Sequence, residues 1–469
     1  MGALLSAGAG PLELRMLGRS LLLAMALGVI AGLVGAAFNA LVDGGKVLLL
    51  VRLAGARVLQ AAGETGPPDE AAIATPWLLL VIPAAGGLVA GLLARWVPAV
   101  FGGGSDRTIA TYHAGVAEVP ARLVPAKFLA SVATLATGGA GGREGPSMQL
   151  GSALGALLPR WLPVSPEERR MLYVAGIGAG MSAVFQTPLG AAVLAAEVLY
   201  RDDFEAEALV PSVLASVVSY AVSYTLLGTK PFFGNLPAHP FVVAHLPLYA
   251  VLAVLVAGVG AAFVWALHGV RRFTLGTGLP LWLAPALGGL ALGAIVVAMH
   301  LGRLGSVGPI PAESALLGGG YGIAQLALGG SLPISMRVAG LFLGLAALRI
   351  LAASLTVGTG GSAGDFAPSL SIGAMVGAAF GHLAATVFPG AAIQPASFAF
   401  VGMATLYGGI AHVPLGAMIL VSELAGSYDL LVPLMLGTVG AHVLLRNVRL
   451  YEAQVPTRRA APATITPRS

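Results

Sequence analysis

The feature that most constrains this sequence is its alternation of two kinds of apolar segment. Long runs occupy 16–42, 77–96, 121–139, 168–182, 208–227, 245–270, 280–300, 336–356 and 428–445. Between them lie shorter pieces broken by Gly and Pro, at 101–116, 144–158, 186–200, 310–330, 366–384 and 397–424. Long runs alone predict a simple bundle of membrane helices. The broken pieces predict half-helices ending inside the membrane, where irregular backbone is tolerated only if protein or a cavity shields it. Charge agrees, since only 10% of the 469 residues are charged, against about 25% in soluble domains. The run from Leu21 to Leu41 is too long for a cleaved signal core and reads as a membrane helix. Basic residues collect at cytoplasmic ends. Arg15 and Arg19 before the first run, with Arg446, Arg449, Arg458 and Arg459 after the last, predict that both termini are cytoplasmic.

A second constraint is internal. Gly142-Arg143-Glu144-Gly145-Pro146-Ser-Met-Gln-Leu-Gly151 aligns with Gly364-Asp365-Phe366-Ala367-Pro368-Ser-Leu-Ser-Ile-Gly373, and the match continues to Gly155 and Gly377. Pro188-Leu-Gly190 with Glu197 aligns in the same order with Pro414-Leu-Gly416 and Glu423. Two ordered matches predict a duplicated unit, near 17–235 and 245–455, within one transmembrane domain over 1–469 that ends in a polar tail at 456–469. Interrupted helices at matching positions of two halves predict a binding site between them at the bilayer midplane. The sequence leaves open whether the halves run parallel or inverted.

The chemistry of that site is predicted by the short helix after each glycine run. Exposed N–H groups and the positive end of a helix dipole favour an anion. Gly138-Gly139-Ala140-Gly141-Gly142, the stretch Gly358 to Gly364, and Gly102-Gly103-Gly104 before Ser105 each precede such a predicted helix. Glycine packing would explain one such run; three before three helices point to anion binding. Glu144 opens one of these helices inside apolar sequence, where an uncompensated charge costs several kcal/mol. The helix dipole compensates it and makes the same place attractive to another anion. A carboxylate there competes with a transported ion and leaves on protonation, which makes it a gate.

At these residues the chain resembles the CLC family of chloride channels and proton/chloride exchangers. Gly142-Arg143-Glu144-Gly145-Pro146 matches the family's gating-glutamate motif, Gly364-Asp365-Phe366-Ala367-Pro368 its second filter motif, and Gly104-Ser105 an altered form of the first. Lys127 falls where the family keeps a buried lysine, and Tyr451 where a tyrosine hydroxyl reaches the central anion. The resemblance implies an all-α polytopic fold of two inverted repeats with about eighteen tilted or interrupted helical segments, and a homodimer with a pore in each subunit. It implies anion coordination by Ser105, Tyr451 and the backbone N–H groups around Phe366, with Asp365 and Gly145 beside them. It also fits the prokaryotic type without cytoplasmic regulatory domains, in the plasma membrane, with chloride and protons as partners.

Three departures shape the expectations. Asp106 and Arg107 follow Ser105 where the family carries small apolar residues. Asp365 replaces an apolar residue beside the anion, and an ionised side chain there is expected to point away, toward Arg or backbone donors. Val198 stands where many exchangers carry the glutamate that relays protons from inside. Glu197, about 100° around the helix, is expected to receive protons in its place. The resulting expectation is chloride transport by proton-coupled exchange gated by Glu144. A passive channel, or an exchanger for fluoride or nitrate, is the alternative.

Other classes fit less well. With no cysteine and no His-Glu-x-x-His spacing among His113, His239, His245, His268, His300, His382, His412 and His442, no metal site or cofactor is expected. These histidines are expected to pack helices or lie at the interface. Asp365 and Asp429 do not make an intramembrane aspartyl protease, because Ser-Ala-Gly-Asp replaces its glycine motif and Glu144 is left unexplained. No enzyme is expected. A cation transporter would place carbonyl ends or paired acids at its site.

Overall fold

A computed structural model describes residues 11–56, 58–64, 75–116, 119–162, 164–228, 232–234, 236–238, 240–302, 306–307 and 310–460. Within these residues the chain forms sixteen α-helices. The first eight are α1 (Pro11–Lys46), α2 (Leu78–Trp96), α3 (Ser105–His113), α4 (Leu123–Ala136), α5 (Glu144–Leu157), α6 (Pro166–Phe185), α7 (Pro188–Glu197) and α8 (Leu209–Leu227). The second eight are α9 (Leu246–Gly276), α10 (Ala284–Leu301), α11 (Tyr321–Gly329), α12 (Met336–Ala353), α13 (Phe366–Val387), α14 (Pro395–Ile410), α15 (Pro414–Ala425) and α16 (Leu431–Leu444). π-Helical turns continue α1 through Leu53 and α12 through Gly358. Residues 306–307 and 310–311 form a small antiparallel ladder. The count of helices stands close to the expected eighteen segments, the remainder being π and 3₁₀ turns.

Seven helical runs among the described residues are long and apolar enough to cross a bilayer, and the protein is a multi-pass integral membrane protein. Apolar length did not identify all of them. The piece at 366–384 becomes a full helix of 22 residues, whereas the long runs at 121–139 and 428–445 become helices of only 14. Backbone breaks decide these ends: Thr137-Gly138 halts α4 with φ of +89° at Gly138, a conformation that costs glycine little.

Corresponding helices of the two halves meet each other. Helix α2 packs on α10 and α7 on α15, while α5 lies on α6 as α13 lies on α14. The contacts that join the halves come in reciprocal pairs. Gly142 N donates to Gly364 O and Gly364 N to Gly142 O, both at 2.7 Å. Ala140 N donates to Thr356 Oγ1 at 3.0 Å, and Ser362 N to Thr134 Oγ1 at 3.2 Å. A two-fold relation between halves produces this pattern.

Polar residues hold the helices where lipid offers no hydrophobic drive for association. Ser182, Ser219 and Ser223 donate across the α6–α8 contact to carbonyls at 2.7 Å. Ser165 caps α6 in a reciprocal box with Glu168, satisfying two otherwise orphaned N–H groups. Helices α5, α6, α13 and α14 are almost wholly buried and form the core. Exposed Val254, Leu255 and Trp265 on α9, with Val432, Met435 and Val443 on α16, lie at the periphery.

Candidate functional site

Four helices begin around one point. Helices α5 and α13 are brought together by the Gly142–Gly364 pair. Gly104, with φ of +105°, turns the chain into α3, and Gly320, with φ of +81°, turns it into α11. A buried cation holds each of these two turns. Lys127 Nζ donates to Gly102 O at 2.7 Å and Val100 O at 3.4 Å. Arg349 donates to Leu316 O at 2.7 Å and to Gly318 O at 2.5 Å. Both side chains are fully buried, and both donate to backbone carbonyls, with Glu144 acting on Arg349 as well.

Glu144 is the first residue of α5 and is buried. Its Oε1 accepts a hydrogen bond from the Tyr321 hydroxyl at the start of α11. Among the described residues its Oε2 has no side-chain or other assigned hydrogen-bond partner, while the N–H groups of Glu144 itself and Ala367 act on the carboxylate from close by. Aromatic rings wall the space. Phe185 lies 6.2 Å from the Tyr321 ring and 5.9 Å from the Phe366 ring, and Phe366 stands edge-on to Tyr407 at 4.4 Å. The carboxylate thus sits at the joint N-termini of α5 and α13, the position where backbone amides would receive an anion.

Ser105, the first residue of α3, is buried with its hydroxyl close beside Gly145. Tyr451 reaches the same place from the segment after α16 and lies within hydrogen-bonding reach of Tyr407 and Ser105. Asp106, one of the departures, anchors that segment by accepting from Ala453 N at 2.8 Å. Gly145, Pro146, Ala367 and Pro368 line the first turns of α5 and α13 and are buried. Sequence reasoning therefore named residues that the fold gathers. It missed Tyr321, Phe185 and Arg349, although Gly318-Gly319-Gly320 before Tyr321 was a fourth glycine run before a short helix.

One expectation is corrected. Asp365 does not point away from the site. Its Oδ1 accepts from Tyr451 Oη at 3.0 Å, while its own backbone N–H and Arg271 act on the same carboxylate. Glu197 is engaged by a neighbouring helix. Its oxygens accept from Leu415 N at 3.1 Å and Gly416 N at 2.6 Å at the start of α15. Glu423 does the same for α7, accepting from Leu189 N at 3.1 Å and Gly190 N at 2.6 Å. The Pro-Leu-Gly motif leaves these amides orphaned, and the repeated glutamate caps its counterpart's helix. Val198 is fully buried and its carbonyl accepts from Gln454.

Two cavities flank the site. One, of about 240 Å³, is lined by Gly102 to Arg107, His268, Arg271, Asp365 and Leu450. The other, of about 210 Å³, is lined by Asn39, Asp43, Glu64, Arg143, Phe185 and Phe232 among others. In the second, Arg143 bonds Asp43 and, at 2.9 Å, Asn39 Oδ1, while Lys46 pairs with Glu64 at 3.1 Å. Elsewhere, His113, His245 and His412 contact backbone carbonyls at 2.8–3.0 Å. His239 lies outside the described residues. Asp429 is exposed in the turn before α16. Among the described residues, no three His, Cys, Asp or Glu side chains are grouped to hold a metal ion.

Comparison with known proteins places this arrangement in context. A family model described as voltage gated chloride channel matches residues 86–446. The voltage-gated ClC-type chloride channel ClcB of Citrobacter koseri is 31% identical over 92% of this chain and 97% of its own length. The H(+)/Cl(-) exchange transporter ClcA of Salmonella typhi is 30% identical over 69% of this chain, which spans only 66% of that transporter. Among solved structures, a slow cyanobacterial Cl-/H+ antiporter superposes with a TM-score of 0.74 and 25% identity, over 92% of this chain and 96% of the antiporter.

Proposed function

The chain belongs to the voltage gated chloride channel family, and from that premise we propose that it carries chloride or a similar small anion by proton-coupled exchange, gated by Glu144. The observation that carries the proposal is the buried Glu144 carboxylate lying where the N-termini of α5 and α13 join. A negative group already occupies the place best suited to a mobile anion. Protonation removes its charge and its claim on the amides, so anion passage and proton movement compete for one site. Ser105, Tyr451 and the first-turn amides around Phe366 and Gly145 hold the anion on the inner side. Gly142, Arg143, Pro146, Gly364, Ala367 and Pro368 shape the two filter turns.

A specific observation favours passive conduction as the second reading: Val198 cannot take a proton and Glu197 is committed to helix α15. The test is a sealed liposome holding a chloride gradient, with no applied proton gradient and the potential clamped by valinomycin and potassium. An exchanger drives protons uphill as chloride runs down, whereas a channel passes chloride with no proton movement. Replacing chloride with fluoride or nitrate in the same liposomes decides the anion.

The reading extends to assembly and placement. The protein works as a homodimer with one pathway per subunit, with repeats at about 17–235 and 245–455 inverted across the membrane. It lies in the plasma membrane with both termini cytoplasmic, so the cavity lined by Asp365 opens inward.

A further inference from the structure

We propose that Asp365 is a second gate in series with Glu144: its carboxylate holds the inner anion donor and releases it on protonation from the inner cavity. The inference rests on the anion-transport reading above and adds a residue to it.

The starting point is a bond that Asp365 does not make. Asp before a helix ordinarily caps it by accepting from the second or third N–H group. Here the side chain makes no such bond to α13, and among the described residues it forms no ion pair. Its identified side-chain partner is the Tyr451 hydroxyl, at 3.0 Å. A hydroxyl has a single proton to donate, so Tyr451 cannot give it to Asp365 and to a mobile anion together. While Asp365 is ionised, the inner donor is taken by a tethered anion.

The groups around Asp365 decide whether that hold is reversible. Facing it are Tyr451, Asp106 of α3 and Arg271 of α9, with Arg107 and His268 lining the same cavity. Glu144 of α5 and Tyr407 of α14 lie on the filter side. Arg271 favours the ionised form, while Asp106 and Glu144 oppose it. None of these groups locks the carboxylate, and the cavity of about 240 Å³ gives it a route to protons. Protonation turns Asp365 from a charge-assisted acceptor of the Tyr451 hydrogen bond into a weaker neutral one, and the hydroxyl turns to the anion. The matching residue of the other half, Arg143, lines the other cavity but is fixed by Asp43 and Asn39. Only the inner position is left able to switch.

The experiment is chloride titration calorimetry on purified protein, near pH 7, in buffers of different ionisation enthalpy so that proton uptake per chloride is read directly. Asp365→Asn is expected to bind chloride about tenfold more tightly than wild type, the worth of one hydrogen bond regained by the ion. Glu144→Gln should retain some proton uptake on chloride binding, and the double variant should show none. Asp365→Glu, which keeps the charge, should stay weak, and Asp365→Ser gives a second neutral variant should the asparagine protein misfold. Wild-type affinity in both neutral variants, or equal proton uptake in Glu144→Gln and the double variant, overturns the second gate while leaving Glu144 in place. No chloride binding by wild type and Asp365→Asn alike overturns the transport reading as well.

Discussion

The two halves of this protein build the same turn and then use it differently. In the first half Arg143 precedes α5 and Glu144 begins it; in the second, Asp365 precedes α13 and Phe366 begins it. Reciprocal backbone bonds at Gly142 and Gly364 hold the turns in a matched pair. The side chains at matching places then reach different cavities. Arg143 enters a network with Asp43, Asn39 and Glu64, the last also paired with Lys46, whereas Asp365 meets a tyrosine hydroxyl. The backbone is symmetric, and direction comes from side chains that break the symmetry. Lys127 and Arg349 show the opposite case, since both halves keep a buried cation on the equivalent glycine turn.

The largest expected effect breaks the comparison at α5. Glu144→Gln gives the first half a permanently neutral first residue, as Phe366 already is in the second. Wild-type flux should rise as pH falls and the carboxylate takes up protons. The variant should keep anion flux, lose coupled proton movement, and lose most of the pH dependence. A liposome flux–pH profile identical to wild type, in folded protein, would remove Glu144 as the gate.

Next come the buried cations. Arg349→Met takes the guanidinium donors from the carbonyls of Ala315, Leu316 and Gly318, and Lys127→Met takes the ammonium from those of Val100 and Gly102. Each unsatisfied buried group costs about 1–3 kcal/mol, so the arginine variant should lose more stability than the lysine variant. Thermal unfolding in detergent, with the two variants compared at equal lipid, measures the difference. Equal shifts would mean that the halves are held equally.

A smaller effect is expected at the inner donors. Ser105→Ala should weaken chloride binding by about tenfold, since a hydrogen bond to a charged partner is worth roughly 1.5–3 kcal/mol, and Tyr451→Ala should do so in the Asp365→Asn background, where the hydroxyl is released. Calorimetry that shows no weakening in either case would place the anion elsewhere. The smallest effect sharpens the reciprocal caps. Glu197→Gln and Glu423→Gln each weaken two bonds to helix N–H groups, about 1 kcal/mol apiece on the scale of lost caps. Glu197 is the more buried and should cost more. A loss of proton coupling in Glu197→Gln, with stability unchanged, would instead restore it to a proton path.

Much was legible in the sequence because it rests on chemistry local to a few residues. The membrane class comes from apolar length against scarce charge. The duplication comes from two motifs repeated in order, and the filter turns from glycines before short helices. Glu144 was conspicuous because an acid inside apolar sequence demands compensation. The partner of that acid was not legible. Tyr321 lies 177 positions away in a helix whose glycine run carried no acid to draw notice. The capping role of Glu197 was hidden for a related reason: its proximity to Val198 is a fact of sequence, but its hydrogen bonds go to α15, over 200 positions on.

The sequence by itself thus determined the kind of solvent this chain occupies, the motifs repeated in order, and the glycine turns that precede short helices. Side-chain transfer energies and backbone freedom set these, and both act residue by residue. Tertiary structure alone decided which starts meet, that Asp365 turns to Tyr451 rather than away, and that the repeated glutamates cap each other's helices. Each of these depends on which orphaned amide or hydroxyl lies within hydrogen-bond reach in space, and a short-range directional bond leaves no trace in sequence spacing.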